Sequence, residues 1–288
     1  MLAFFPGWEY NGSITDKEGC AMAGISSPIG VFDSGVGGIS VLAALERVLP
    51  MEDFVYFGDT LHAPYGTKPE AEVLGYVREI MAHLMARDVK AVVIACNTAT
   101  SVAAAHLREE LSLPIIGMEP ALKPAAEHRR GGTILVLATP MTLRLPKFQA
   151  LYARYGEGAE PLPCPGLMEL VEQEDFARAE VYLKELLQPY DLRRVDAVVL
   201  GCTHYVFLRP VLRRLLPDTT LILDGNAGTA RQLARVLSER GLLRETGVGS
   251  IILETSGNAD AVLPQMRHLL ALARSLEPGE TSFSPQTL

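Results

Sequence analysis

The sequence predicts an α/β protein made of two pseudo-symmetric three-layer domains, each with a mainly parallel sheet, and an active site in the cleft between them. Three observations predict it. Short apolar runs alternate with amphipathic helical stretches, the alternation repeats once along the chain, and the repeat carries a cysteine to the same place in each copy.

The bulk properties set the frame. A chain of 288 residues, 48% hydrophobic and 21% charged, has material for two buried sheets. A net charge of −8 argues against a nucleic-acid partner, because a phosphate backbone repels an acidic surface. No run is apolar for long enough to span a bilayer, so no membrane partner is expected. The four cysteines, Cys20, Cys96, Cys164 and Cys202, are far apart and form no CxxC pair, unlike a secreted disulfide framework. The opening MLAFFPGW lacks a basic leader and is interrupted at Pro6-Gly7, which reads as no signal peptide and a cytoplasmic protein. Residues 1–27 and 277–288 mix Gly, Ser, Pro and charges without periodicity and read as a flexible arm and tail.

Eight apolar runs read as buried strands: 29–32, 54–57, 91–95, 114–118, 133–138, 197–201, 220–224 and 250–254. Helical periodicity follows at 39–49, 71–88 and 181–190. The segment VKAVVIACNTA (89–99) resembles VDAVVLGCTHY (195–205) at an offset of 106, which pairs Cys96 with Cys202. LREEL (107–111) and LRRLL (212–216) match at an offset of 105, as do IGVFDS (29–34) and ILVLAT (134–139). Three matches in one order at nearly one offset imply two similar halves. The expected domains are 28–122 plus 227–276, and 123–226. Each half ends a strand on a cysteine, where open α/β sheets place their ligands.

Three local patterns carry chemistry. Asp33-Ser34-Gly35-Val36-Gly37-Gly38 joins a strand to a helix, and its glycines let the backbone approach a ligand at a helix N-terminus. The spacing is neither GxGxxG nor a P-loop, and taken alone the turn reads equally well as a plain connection. Cys96-Asn97-Thr98 precedes a helix expected to start near Ala99; a thiol there has a lowered pKa, and Asn97 and Thr98 add donors for a carboxylate. Alone, Cys96 reads as a core thiol followed by an N-cap threonine. Cys202-Thr203-His204 repeats the arrangement with a histidine placed to exchange a proton with the thiol. A thiol protease leaves the duplicated cysteine unexplained, and zinc needs more ligands than the spacing offers. Two thiols on opposite faces of one ligand suit a racemase, which removes a proton from one face and returns one to the other.

GVFDSGVGG (30–38), FGDT (57–60), PYG (64–66), CNTAT (96–100) and GCTHY (201–205) occur together in the order and spacing of the bacterial glutamate racemases, which the chain resembles from about Ile29 to Arg274. The resemblance implies interconversion of L- and D-glutamate without cofactor or metal, supply of D-glutamate for peptidoglycan, and a homodimer. It implies that Cys96 and Cys202 are the acid/base thiols, that Asp33 assists Cys96, and that His204 and Glu172 assist Cys202. It also implies that Asp33, Ser34, Pro64, Tyr65, Gly66, Asn97, Thr98, Thr142 and Thr203, with Cys96, Cys202 and His204, contact the substrate. The chain departs from the family at Val206, in GMEPALKP (117–124) and in DGNAGTA (224–230). Those departures leave open an aspartate or other amino-acid racemase of the same fold, and the arm at 1–27 leaves open a partner-binding homologue such as a gyrase inhibitor.

The remaining histidines, His62, His83, His106, His128 and His268, sit in no partner pattern and read as surface or core residues. Cys164, Met81 and Met85 read as packing.

Overall fold

The computed structural model describes residues 24–276. The arm and tail calls at 1–23 and 277–288, with Cys20, lie outside the described residues. The first half runs β1 (Ile29–Asp33), α1 (Ile39–Val48), β2 (Phe54–Gly58), α2 (Glu70–Met85), β3 (Ala91–Ile94), α3 (Asn97–Glu110) and β4 (Ile115–Gly117). The second continues with α4 (Leu122–Glu127), β5 (Thr133–Ala138), α5 (Pro140–Arg144), α6 (Pro146–Tyr155), β6 (Ala159–Pro163), α7 (Leu167–Glu172), α8 (Phe176–Leu187), β7 (Val195–Leu200), α9 (Arg209–Leu215) and β8 (Leu221–Asp224). The chain then adds α10 (Asn226–Glu239), β9 (Ile251–Thr255) and α11 (Ala259–Ser275).

Two parallel sheets result, in strand orders β4-β3-β1-β2-β9 and β6-β5-β7-β8. Reversing the second list puts β8, β7, β5 and β6 opposite β4, β3, β1 and β2. The duplication read from three peptides therefore extends to every strand of both copies. It also covers a strand the apolar runs missed: β6 lies 105 residues after β2. β6 is an edge strand of sequence AEPLP, with Ala159 and Leu162 buried and Glu160 and Pro163 exposed. Its prolines are tolerated because one side of an edge strand needs no ladder bonds.

Parallel strands buried on both faces need apolar side chains at successive positions. In the first sheet, Phe32, Val55, Phe57, Val92 and Ile94 pack under α2 and α3, against Val77, Met81 and Ala103. The alternate residues Val31, Tyr56 and Val93 face α1, α10 and α11. In the second sheet, Ile134, Val136, Ala197 and Val199 pack on α4 and α6. Leu135, Leu137, Val198 and Leu200 share with α7, α8 and α9 the core that continues into the first half beneath α1. Among the described residues no helix is long and apolar enough to cross a membrane.

Candidate active site

β1, β3, β5 and β7 all point their carboxyl ends at one cavity of about 280 Å³. Its wall contains every residue expected to touch substrate: Asp33, Ser34, Pro64, Tyr65, Gly66, Cys96, Asn97, Thr98, Thr142, Cys202, Thr203 and His204. Glu172 does not line it and stands behind His204. Cys164, Thr139, Met141, Arg144, Met168 and Glu169 also line the cavity and were not singled out as ligands from sequence. Cys96, Cys164 and Cys202 are free, buried thiols.

Cys96 follows β3 by two residues and Cys202 follows β7 by two. Both have extended backbones, with φ −129° and −139°. Cys96 is itself the N-cap of α3: its Sγ accepts from the Ala99 amide at 3.4 Å. The helix thus starts at Asn97, two residues earlier than the sequence suggested, and Thr98 is not the cap. The expected lowering of this thiol's pKa is also overturned. Burial, then the nearby Asp33 carboxylate, push it up to about 12, outweighing the bonds from Ala99 and Ser34.

Asp33 ends β1 and is 1% exposed. Its Oδ1 accepts from the Ser34 amide at 2.8 Å and its Oδ2 from the Gly38 amide at 2.5 Å. The anion at the N-terminus of α1 is therefore Asp33 itself, and not a ligand. Burial raises the pKa of this carboxyl, against the lowering effect of the His204 charge and the two amides. Ser34 Oγ lies 3.4 Å from both Cys96 Sγ and Asp33 Oδ1, joining thiol to carboxyl.

The second thiol has a different neighbour. His204 Nδ1 lies 3.7 Å from Cys202 Sγ, and its Nε2 lies 3.0 Å from Glu172 Oε1. Burial lowers the pKa of His204, but the hydrogen bonds and charges of Cys202 and Glu172 win and hold it well above its usual 6.5. Burial raises that of Glu172, and the His204 bond and charge bring it below its usual 4.5.

The glycine turn after Asp33 does allow a close approach, but to the other half of the protein. A Cβ on Gly37 would collide with the His204 ring and with Thr203 Oγ1. Asn97 crosses the same boundary: its Nδ2 donates to Gly201 O at 3.0 Å, and its Oδ1 has no partner. Tyr65 donates its hydroxyl to Asp59 Oδ2 at 2.5 Å, so its phenol is committed inside the protein. Asp59 is also held by His62 Nδ1 at 2.8 Å and by Ser256 Oγ at 2.6 Å. His62, read from sequence as belonging to no pattern, is thus part of the buried support behind the Pro64–Gly66 wall. His83 and His268 pair with Glu254 and Glu174 at a distance from the cavity. Thr142 is 3% exposed and its Oγ1 meets Thr139 Oγ1 at 2.9 Å.

A two-sheet α/β fold with thiols, hydroxyls and a carboxyl lining one cavity between its sheets fits the architecture of the amino-acid racemases. The model of the Asp/Glu/hydantoin racemase family matches residues 39–233, and the chain belongs to that family of isomerases. It is 48% identical over 234 residues to a glutamate racemase of Clostridium botulinum, covering 80% of this chain and 91% of that protein. A glutamate racemase of Bifidobacterium adolescentis is 47% identical over 253 residues, covering 85% and 98%. Among solved structures, the Thermus thermophilus glutamate racemase in complex with β-chloro-D-alanine superimposes with a TM-score of 0.73 at 38% identity, covering 85% of this chain and 94% of that one. The Escherichia coli enzyme, solved with L-glutamate and an activator, gives 0.73 at 32% identity and covers 84% and 94%.

Proposed function

We propose that this protein interconverts L- and D-glutamate by passing a proton between two thiols, and so supplies D-glutamate for peptidoglycan in the cytoplasm. The observation that carries the reading is that Cys96 and Cys202, at equivalent ends of two equivalent strands, line one cavity with unlike helpers. The relatives named glutamate racemases support the substrate.

In the proposed cycle Cys202 starts as a thiolate beside protonated His204, and Cys96 starts as a thiol beside Asp33. The Cys202 thiolate takes the α-proton of one enantiomer. The electron pair left on the α-carbon delocalises into the substrate carboxylate, and the Cys96 thiol gives its proton to the opposite face. The enzyme ends with Cys96 as thiolate and Cys202 as thiol, the state that accepts the other enantiomer. A thiolate at Cys202 disfavours a second one at Cys96, so Cys96 keeps its proton until Cys202 takes one up. Cys96, Asn97, Thr98, Thr203, Ser34 and the Pro64–Gly66 turn would surround the substrate's charged groups.

The domain division 28–122 plus 227–276, and 123–226, belongs to this proposal. It is supported by the packing of α10 and α11 on α1 and of α11 on β9. Closure of the two parts would exclude water from the carbanion-like intermediate.

Purified protein in D₂O, without added cofactor, is expected to exchange the α-proton of glutamate and abolish its optical rotation. A panel of amino acids resolved by chirality tests the substrate, and aspartate turning over as fast as glutamate would overturn that part.

A further inference from the structure

The turn carrying Cys202 is held from outside its own half. The peptide carbonyl before the thiol, Gly201 O, accepts from Asn97 Nδ2 at 3.0 Å. The carbonyl of the next residue, Thr203 O, accepts from Ser40 Oγ at 3.1 Å. Ser40 is the second residue of α1 and 3% exposed, and it in turn accepts from Asn226 Nδ2 at 3.2 Å. Asn226 opens α10, is 5% exposed, and is fixed by its own amide on Asp224 Oδ1 at 2.9 Å. Asp224 is anchored by the buried guanidinium of Arg209 at 2.5 Å. Asn226 lies within the segment that departs from the family sequence.

We propose that Ser40 and Asn226 are positioning residues that set where Cys202 stands relative to the substrate. A serine hydroxyl rotates freely and has a choice of acceptors. Here the Asn226 amide occupies its acceptor side, so its proton is directed onto Thr203 O. With Asn97 on Gly201 O, the peptide group preceding the thiol and the carbonyl of the residue following it are both fixed to the half that bears the opposing thiol. Neither Ser40 nor Asn226 lines the cavity, so they act through the turn alone. A thiol displaced by a fraction of an ångström loses rate without losing substrate affinity.

The inference rests on the two-thiol reading, and the test separates the two. Wild-type protein that fails to exchange the α-proton of glutamate in D₂O overturns the reading itself. If wild type exchanges it, Ser40→Ala and Asn226→Ala are compared with wild type using 2-deuterated L- and D-glutamate. Each variant is expected to lose about tenfold in kcat with KM within about twofold. The deuterium isotope effect should rise for the enantiomer deprotonated by Cys202 and not for the other. Ser40→Thr, which keeps the hydroxyl, should restore both values. A general loosening would move the two enantiomers together, and that result, or full activity in both alanine variants, overturns the proposal. If Ser40→Ala does not fold, Asn226→Ala read against the same two substrates decides it.

Discussion

The two thiols occupy equivalent positions in equivalent halves, yet their surroundings are opposite in character. Cys96 faces a buried carboxyl through a serine hydroxyl, and its pKa is driven up to about 12. Cys202 faces an imidazole held protonated by a second carboxylate behind it. The duplicated strand and turn supply the common backbone. The helpers come from positions the duplication does not share: Asp33 corresponds to Ala138 at the offset of 105, and His204 to Thr98 at 106. In the proposed cycle, symmetry places the two proton carriers, and the unlike helpers decide which starts charged and which neutral. A perfectly symmetric pair would have no preference about which thiol holds the proton.

The largest test of this difference removes one thiol at a time. Cys96→Ala and Cys202→Ala are each expected to lower racemisation by at least about 10³-fold. Each should still exchange the α-proton of one enantiomer with D₂O, and the two variants should retain opposite enantiomers. Exchange of the same enantiomer by both would mean that the thiols do not face opposite sides. Next in size is His204→Asn. It removes the positive charge beside Cys202 and is expected to cost about 10²-fold in kcat. Peptide-resolved alkylation should show Cys202 slowed and Cys96 unaffected. An equal change at both thiols would deny the pairing of His204 with Cys202.

On the other side, Asp33→Asn should lower the pKa of Cys96, because the carboxylate charge is the second cause of its elevation after burial. The pH of half-maximal alkylation at Cys96 should fall while that at Cys164, buried to about 12 without a nearby carboxylate, stays put. An upward movement would show that the Ser34 link, and not charge, dominates.

How much of this was legible in the sequence follows from where each signal lives. Apolar runs marked eight of the nine strands, the edge strands β4, β8 and β9 included, although β9, read as buried, is only partly covered. β6 was missed because AEPLP, with its glutamate and two prolines, looks like a loop; only the 105-residue offset from β2 points to it. Cys96 and Cys202 were visible because the repeat marks them. Ser40 and Asn226 were not. They act through hydrogen bonds to Thr203 and to Ser40, 163 and 186 residues away along the chain, and a lone Ser or Asn has no periodicity to betray it. The sign of the shift at Cys96 was misread for a related reason. The helix end is local and readable, whereas burial and the Asp33 charge arrive only with the fold.

The smallest expected effect sharpens the comparison through stability. Glu172 and His204 stabilise each other only while both are charged. The pKa of Glu172 is lowered on folding, so its contribution exists above about pH 4.5 and is lost as the pH falls through the lowered value. That of His204 is raised, so its contribution is complete below about pH 6.5 and is lost as the pH rises through the raised value. Both are in full force between those two limits. Glu172 is partly open to solvent, so screening holds the bond to about 1 kcal/mol, or roughly 3 °C in Tm for a chain of this size. Glu172→Gln should therefore lower Tm most between pH 4.5 and 6.5, and the gap from wild type should close at high pH as His204 gives up its proton. The same comparison for Asp33→Asn should run the other way: burial raises the pKa of Asp33 on folding, so wild type loses stability relative to the variant as the pH rises from about 3.8. A gap for Glu172→Gln that widens with pH would mean that His204 is neutral in the folded protein, and that the Cys202 side carries no positive charge to distinguish it from Cys96.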